Sequence, residues 1–219
     1  MDIKKEITQL LACLAIIRKR ELLLTQASQL EFDEYEKKYK IFSPEELRGW
    51  LKICNGTLVV GGGLFGINKE DKFLEIANHY KYKDYWKELG WIPISSDGCG
   101  DYYVLDTHTQ IKNNHPVYFL DQMDYAKPNY VVSSGLWKFL RFRLIEEIEF
   151  HEKTSDMYKT CYWPFEKEKV IAEDPDILLC KTAPLPWEAD NNNDNEDDDH
   201  KDKHPPSDFP NVENKTCNV

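Results

Sequence analysis

Apolar residues change their spacing twice along this chain, from helical steps to strand runs and back again. Ile3, Ile7, Leu10, Leu14 and Ile17 recur at three- and four-residue steps, which places them on one face of an amphipathic helix. Ser43-Pro44-Glu45-Glu46 predicts a second helix start: Ser43 caps, Pro44 suits the first helical position, and Glu46 reaches back as a capping box. Leu47, Trp50 and Leu51 give that helix its apolar stripe, and Asn55-Gly56 ends it. Residues 57–60 and 64–67 then read as two short strands around Gly61-Gly62-Gly63. Asn68 is expected to cap another helix, with Phe73, Ile76, Ala77 and Tyr80 inward.

The middle of the chain is strand-like. Residues 91–95 and 102–106 are β-rich runs separated by Asp97-Gly98-Cys99-Gly100-Asp101, a hairpin with its turn. Residues 116–120 and 130–132 continue it as an antiparallel meander, with Pro93 at an edge or bulge. From Ser134 the helical period returns, with Leu136, Trp137, Leu140, Leu144, Ile145 and Ile148 inward and Arg141, Arg143, Glu146 and Glu147 mostly outward. Residues 151–187, with Tyr162-Trp163-Pro164-Phe165 and Leu185-Pro186-Trp187, are expected to fold back as irregular structure. Helices, then sheet, then helix is the α+β order: a central, mostly antiparallel sheet with helices packed at the N- and C-terminal ends, not the alternation of a doubly wound fold.

Composition limits the function classes. At 219 residues, 41% of them hydrophobic, the chain can build a sizeable core. Its 28 basic and 39 acidic residues give a net charge of −11, which opposes direct adhesion to nucleic acid or to anionic lipid. Glu188 to Val219 holds ten acidic residues against three lysines, so seven of the eleven excess charges lie there. With no apolar residue from Asp190 to Asp199, residues 188–219 read as a disordered acidic tail and 1–187 as a single domain. A solvating extension is the favoured role for such a tail, and capture of a basic partner is the alternative. Cys13, Cys54, Cys99, Cys161, Cys180 and Cys217 form no paired motif, which points to a reducing cytoplasm. The apolar run 10–17 is followed by Arg18-Lys19-Arg20 where a leader would carry small residues, and it is too short to span a bilayer. In that compartment the acceptor tripeptides at Asn55 and Asn214 are coincidences.

No constellation carries catalysis, and none calls for a cofactor or a metal. Gly61 to Gly66 has the G-x-G-x-x-G spacing, but a dinucleotide site needs the glycines to open a helix within a βαβ unit, and a strand follows instead. Cys99 lacks an adjacent base, and Asp97 and Asp101 beside it oppose a thiolate, although His79, His108 and His115 are the candidates to approach it. Asp97, Asp101 and Asp106 fail the calcium-loop pattern. Tyr82, Tyr85, Trp86, Tyr102 and Tyr103 exceed what one sheet face needs, and surplus surface aromatics are what protein interfaces use.

Trp50-Leu51 ahead of Cys54-Asn55-Gly56, the glycine-rich 61–66 turn, and above all Trp91-Ile92-Pro93-Ile94-Ser95-Ser96-Asp97-Gly98-Cys99-Gly100-Asp101-Tyr102-Tyr103 resemble the Smi1/Knr4 family of the SUKH superfamily, over about residues 40–150. The resemblance implies an α+β fold without cofactor or catalytic centre. It implies either a cytoplasmic immunity protein that binds and neutralises a polymorphic toxin, often a nuclease, or a regulatory scaffold in signalling or cell-wall control. Gly56, Gly66, Gly98 and Gly100 then serve turns, and Trp50 and Trp91 the core. An acidic protein suits a basic nuclease, which makes a protein the expected partner. Asp97, Asp101, Tyr102, Asp121 and Asp124, at strand ends and loops, are the expected contacts. Simple turn capping is the competing role for these residues, and ordinary turn chemistry favours it.

Overall fold

Six strands, each hydrogen-bonded to the next in sequence, form the centre of the computed structural model: β1 (Thr57–Val59), β2 (Gly62–Leu64), β3 (Trp91–Ser96), β4 (Tyr102–Asp106), β5 (Val117–Leu120) and β6 (Tyr130–Ser133). Every pairing is antiparallel. The structure describes residues 2–18, 26–59, 62–67, 71–81, 83–152 and 166–193. The helices are α1 (Ile3–Ile17), α2 (Gln29–Tyr39), α3 (Glu45–Leu51), α4 (Ile76–His79), α5 (Tyr85–Glu88), α6 (Leu136–Glu152), α7 (Lys167–Glu173) and α8 (Pro186–Asn193), with a 3-10 turn at Pro175–Leu179. The meander is the expected one, and Pro93 sits where the β3–β4 register slips, so its missing N–H interrupts no regular ladder.

Alternation along the strands sorts the side chains onto two covered faces. On one, Tyr103 opposes Phe119, Phe119 stacks on Tyr130 at 4.9 Å, and Phe139 of α6 packs on Tyr103 at 5.2 Å. On the other lie Tyr102, Val104, Tyr118 and Leu120, with Trp86 of α5 against Tyr102. Both faces are covered, so every residue of β3 is buried, its two serines Ser95 and Ser96 included. Fully burying a side chain such as Phe139 or Trp86 is worth about 1.5–3 kcal/mol.

Close approach explains the glycines. A β-carbon on Gly66 would lie 2.5 Å from the Asn55 carbonyl carbon. Gly62 has φ +138, and a β-carbon there would meet the Ser96 carbonyl oxygen at 2.4 Å. Gly62–Leu64 is strand and Gly66 bridges to Glu75, so no helix opens on these glycines; Gly61 lies outside the described residues. Asn55 is buried, and its Oδ1 accepts the Ile67 N–H at 2.8 Å.

Several expected details are displaced. Ser43 does not cap α3: Pro44 does, without a side-chain bond, and the Glu46 carboxylate instead accepts the His115 N–H at 3.0 Å. The capping box stands one helix earlier, at Ser28 and Glu31 on α2. α3 ends at Leu51 rather than Asn55. The helix expected from Asn68 is reduced to α4, preceded by a turn at residues 72–74 that leaves Phe73 exposed; Asn68 lies outside the described residues.

Arg143 and Glu147 were expected outside α6 and are buried, because α6 is covered by the sheet on one side and by α1 on the other. The Arg143 guanidinium lies 5.5 Å over the Tyr103 ring and pairs with Glu146. Glu147 accepts from Arg18 at the end of α1, which also donates to the Leu58 carbonyl of edge strand β1 at 2.9 Å. Glu6 meets Arg141 at 2.6 Å, so α1 and α6 run in the same sense.

Residues 166–193 are largely helical rather than irregular, while Tyr162 to Phe165 lie outside the described residues. The buried Asp174 carboxylate, 1% exposed, holds this segment by accepting the Ser134 N–H at 2.7 Å and its hydroxyl at 2.5 Å. Pro184 covers the other sheet edge, its carbonyl accepting the Val131 N–H at 2.9 Å. Glu188 to Asn193, the first residues of the expected tail, extend α8: Trp187 packs on the core, and a helix once nucleated propagates through poor formers. Residues 194–219 lie outside the described residues.

Candidate functional site

An antiparallel meander returns alternate connections to the same end, so the β3–β4 turn (97–101) and the β5–β6 loop (121–129) lie side by side. Asp97, Asp101, Asp121 and Asp124 sit on these two connections, and Tyr102 begins β4 beside them. The Asp97, Asp121 and Asp124 carboxylates each organise their own loop, as turn chemistry dictates. Asp97 Oδ1 accepts the N–H groups of Cys99 at 2.8 Å and Asp101 at 3.0 Å. Asp121 Oδ1 accepts the Met123 N–H at 2.7 Å, and Asp124 Oδ1 accepts the Ala126 N–H at 3.0 Å.

Two further bonds join the loops. Asp101 Oδ1 accepts the Gln122 N–H at 2.9 Å, and the Tyr125 hydroxyl donates to the Gly100 carbonyl. Trp86, wholly buried, then donates its indole N–H to the Tyr125 carbonyl at 3.0 Å, tying both loops to α5. Burial pushes the Asp101 carboxyl above the ordinary carboxylate range, the Gln122 N–H pulls it back, and the charges of Asp97 and Asp121 push it up further. Like charges held together by the fold repel one another in the free protein, and a cation arriving from outside relieves them.

Beneath the carboxylates lies an aromatic cluster. Tyr102 packs edge-on to Trp86 at 5.3 Å and to Tyr125 at 5.8 Å, and His79 stacks on Phe65 at 3.8 Å. His79 Nε2 lies 2.8 Å from the Phe73 carbonyl, which can only accept, so Nε2 carries the proton and Nδ1 accepts from the Tyr102 hydroxyl at 3.3 Å. Burial drives the His79 pKa down to about 4, with the Lys83 charge adding to the effect, so the ring is neutral at pH 7. Met123 stands 88% exposed at the tip of the β5–β6 loop. Of the surplus aromatics, Trp86 and Tyr102 belong to this cluster and Tyr85 pairs edge-on with Trp86. Tyr103 lies under α6, and Tyr82 lies outside the described residues.

The other candidates disperse. Cys99 is exposed on its turn, while His79 bonds Tyr102, His115 bonds Glu46 at 2.9 Å, and the His108 ring lies over Gly90. Asp106 is at the opposite end of β4, buried, accepting the His108 N–H at 2.9 Å. Cys54 is buried and its thiol is pushed up to about 12. Among the described residues no group of three His, Cys, Asp or Glu is arranged to hold a metal ion. Among them, too, no helix is long and apolar enough to cross a membrane.

The fold is α+β, and among the described residues one end of its sheet carries carboxylates over an aromatic cluster. The model of the SMI1 / KNR4 family (SUKH-1) matches residues 26–142, more than half of the chain, and the protein belongs to that family. The match takes in α2 to α5, all six strands and the first part of α6, and leaves α1, α7 and α8 outside. None of the curated proteins compared matches the chain.

Proposed function

We propose that this protein is an immunity protein that binds and neutralises a cognate polymorphic toxin, a basic nuclease, and that the paired acidic loops are its contact surface. One observation carries the reading: the 97–101 turn and the 121–129 loop are bonded to each other and to Trp86, so the carboxylates are held in place before any partner arrives. A preordered charged surface loses little entropy on docking and steers a basic partner inward. The exposed Met123 and the half-buried Tyr125 beside the carboxylates supply the apolar contact that charge alone does not. On this reading the protein blocks its partner by occupancy and turns over no substrate itself.

Asparagine at positions 97, 101, 121 and 124 keeps each Oδ1 acceptor and removes each charge. The fourfold variant D97N/D101N/D121N/D124N is therefore expected to melt no lower than wild type. Its affinity for the toxin encoded beside its gene should fall at least tenfold, mainly through slower association, and lose most of its salt dependence. Co-expression of wild type with that toxin should restore growth where the variant does not. Unchanged affinity and salt dependence in the variant would overturn the assignment of the surface, and unrelieved killing by wild type would overturn the immunity reading. A cellular partner bound at this end with no toxin relieved is what the regulatory alternative expects.

A further inference from the structure

Lys83 is unusually placed for a lysine. Its ammonium lies 4.5 Å from the Tyr125 ring centroid, 4.6 Å from that of Tyr102 and 5.2 Å from that of Trp86. Three rings from three parts of the chain thus present themselves to one cation, and ring faces attract a cation more strongly as water is excluded. No carboxylate pairs with Lys83 among the described residues, although Asp97, Asp101 and Asp121 lie close enough to Tyr125 to act on its hydroxyl. Partial burial of the ammonium lowers the Lys83 pKa.

We propose that Trp86, Tyr102 and Tyr125 form a cation-binding cage, that Lys83 is its resident occupant, and that a lysine or arginine side chain of a protein partner displaces Lys83 on docking. Charge complementarity commits the guest to that chemistry: a cationic side chain entering from the loop end brings its charge to Asp97, Asp101 and Asp121, which Lys83 does not neutralise. The cage itself is read from ring geometry; only the source of the guest rests on the reading of this end as a partner surface. The resident lysine is a built-in competitor. It keeps water and small cations off Trp86 in the free protein, and it yields only to a partner that gains contacts elsewhere as well.

The test needs no toxin. The Trp86 indole N–H, bonded to Tyr125, is a proton NMR reporter of the cage. Nα-acetyl-arginine methylamide and Nα-acetyl-lysine methylamide, titrated into K83A at constant ionic strength, are expected to shift that signal saturably. Neutral Nα-acetyl-norleucine methylamide should not. Wild type should bind the cationic probes at least tenfold more weakly, because Lys83 competes, and K83R should keep the wild-type indole shift as evidence that the rings remain in place. No saturable shift in a folded K83A, or an equal shift with norleucine, would overturn the cage. Should K83A fold poorly, K83M serves in its place with the same expected contrast between cationic and neutral probes. A failed cage with a toxin affinity still sensitive to the four aspartates would leave the surface standing and remove only this inference. A working cage with no such sensitivity would do the reverse.

Discussion

Glu147→Ala is expected to lower the unfolding free energy by about 3–5 kcal/mol, the usual cost of removing one member of a buried ion pair. Glu147 is 2% exposed and accepts from Arg18, and His151 Nε2 lies 3.0 Å from the same oxygen. Alanine leaves the Arg18 guanidinium without its carboxylate partner. Arg18 also holds the Leu58 carbonyl of β1, so the loss spreads to the sheet edge. Urea unfolding of the single variants and of R18A/E147A gives the coupling directly. The double variant should be little worse than E147A alone, and near-additive losses, or a loss below about 1 kcal/mol for E147A, would contradict this account of how α1 is anchored. Amide exchange should then be fastest around Ile7, Leu11 and Leu14, the α1 residues buried in the core.

Acidification should destabilise the protein through His79. Its folded pKa of about 4 lies below the unfolded value near 6.5, so between these limits the unfolded chain binds more protons and stability rises with pH. The stabilisation is complete above about pH 6.5 and is lost as pH falls toward 4, by up to about 3 kcal/mol at 1.36 kcal/mol per unit. Asp101 and Asp174, whose carboxyls burial raises, work in the opposite sense. They are present in both wild type and His79→Gln, so the difference between the two denaturation curves isolates the imidazole. That difference should shrink steadily from pH 6.5 to pH 4; a constant gap would show that His79 titrates normally, and that it is not shielded between Phe65 and the sheet.

How much of this was legible depends on whether the signal was local. The β3–β4 hairpin follows from turn residues lying next to β-rich runs, and the meander follows from its repetition. α2 carried a readable capping box at Ser28 and Glu31, but its apolar residues, Phe32 and Tyr35, are too few to make a stripe. Ser43 and Glu46 matched the same pattern and were drawn off by tertiary bonds, Glu46 to His115 and the Ser43 N–H to Glu36 at 3.0 Å. Arg143 and Glu147 looked outward because their partners, Tyr103 and Arg18, lie far off in sequence. At the candidate site the aspartates could be placed in loops from the sequence. That Asp101 and the 121–129 loop touch depends on the sheet register, and the roles of Lys83, His79 and Tyr125 depend on three-dimensional ring geometry that no spacing announces.

Hydrogen exchange on the protein alone and saturated with the basic nuclease toxin proposed as its partner tests the surface most directly. Slowed exchange should centre on residues 97–101 and 121–126, with α1 and the Asp106 and His108 end of the sheet unchanged. Protection confined to that opposite end or to α1, with both acidic loops exchanging as in the free protein, would contradict the account.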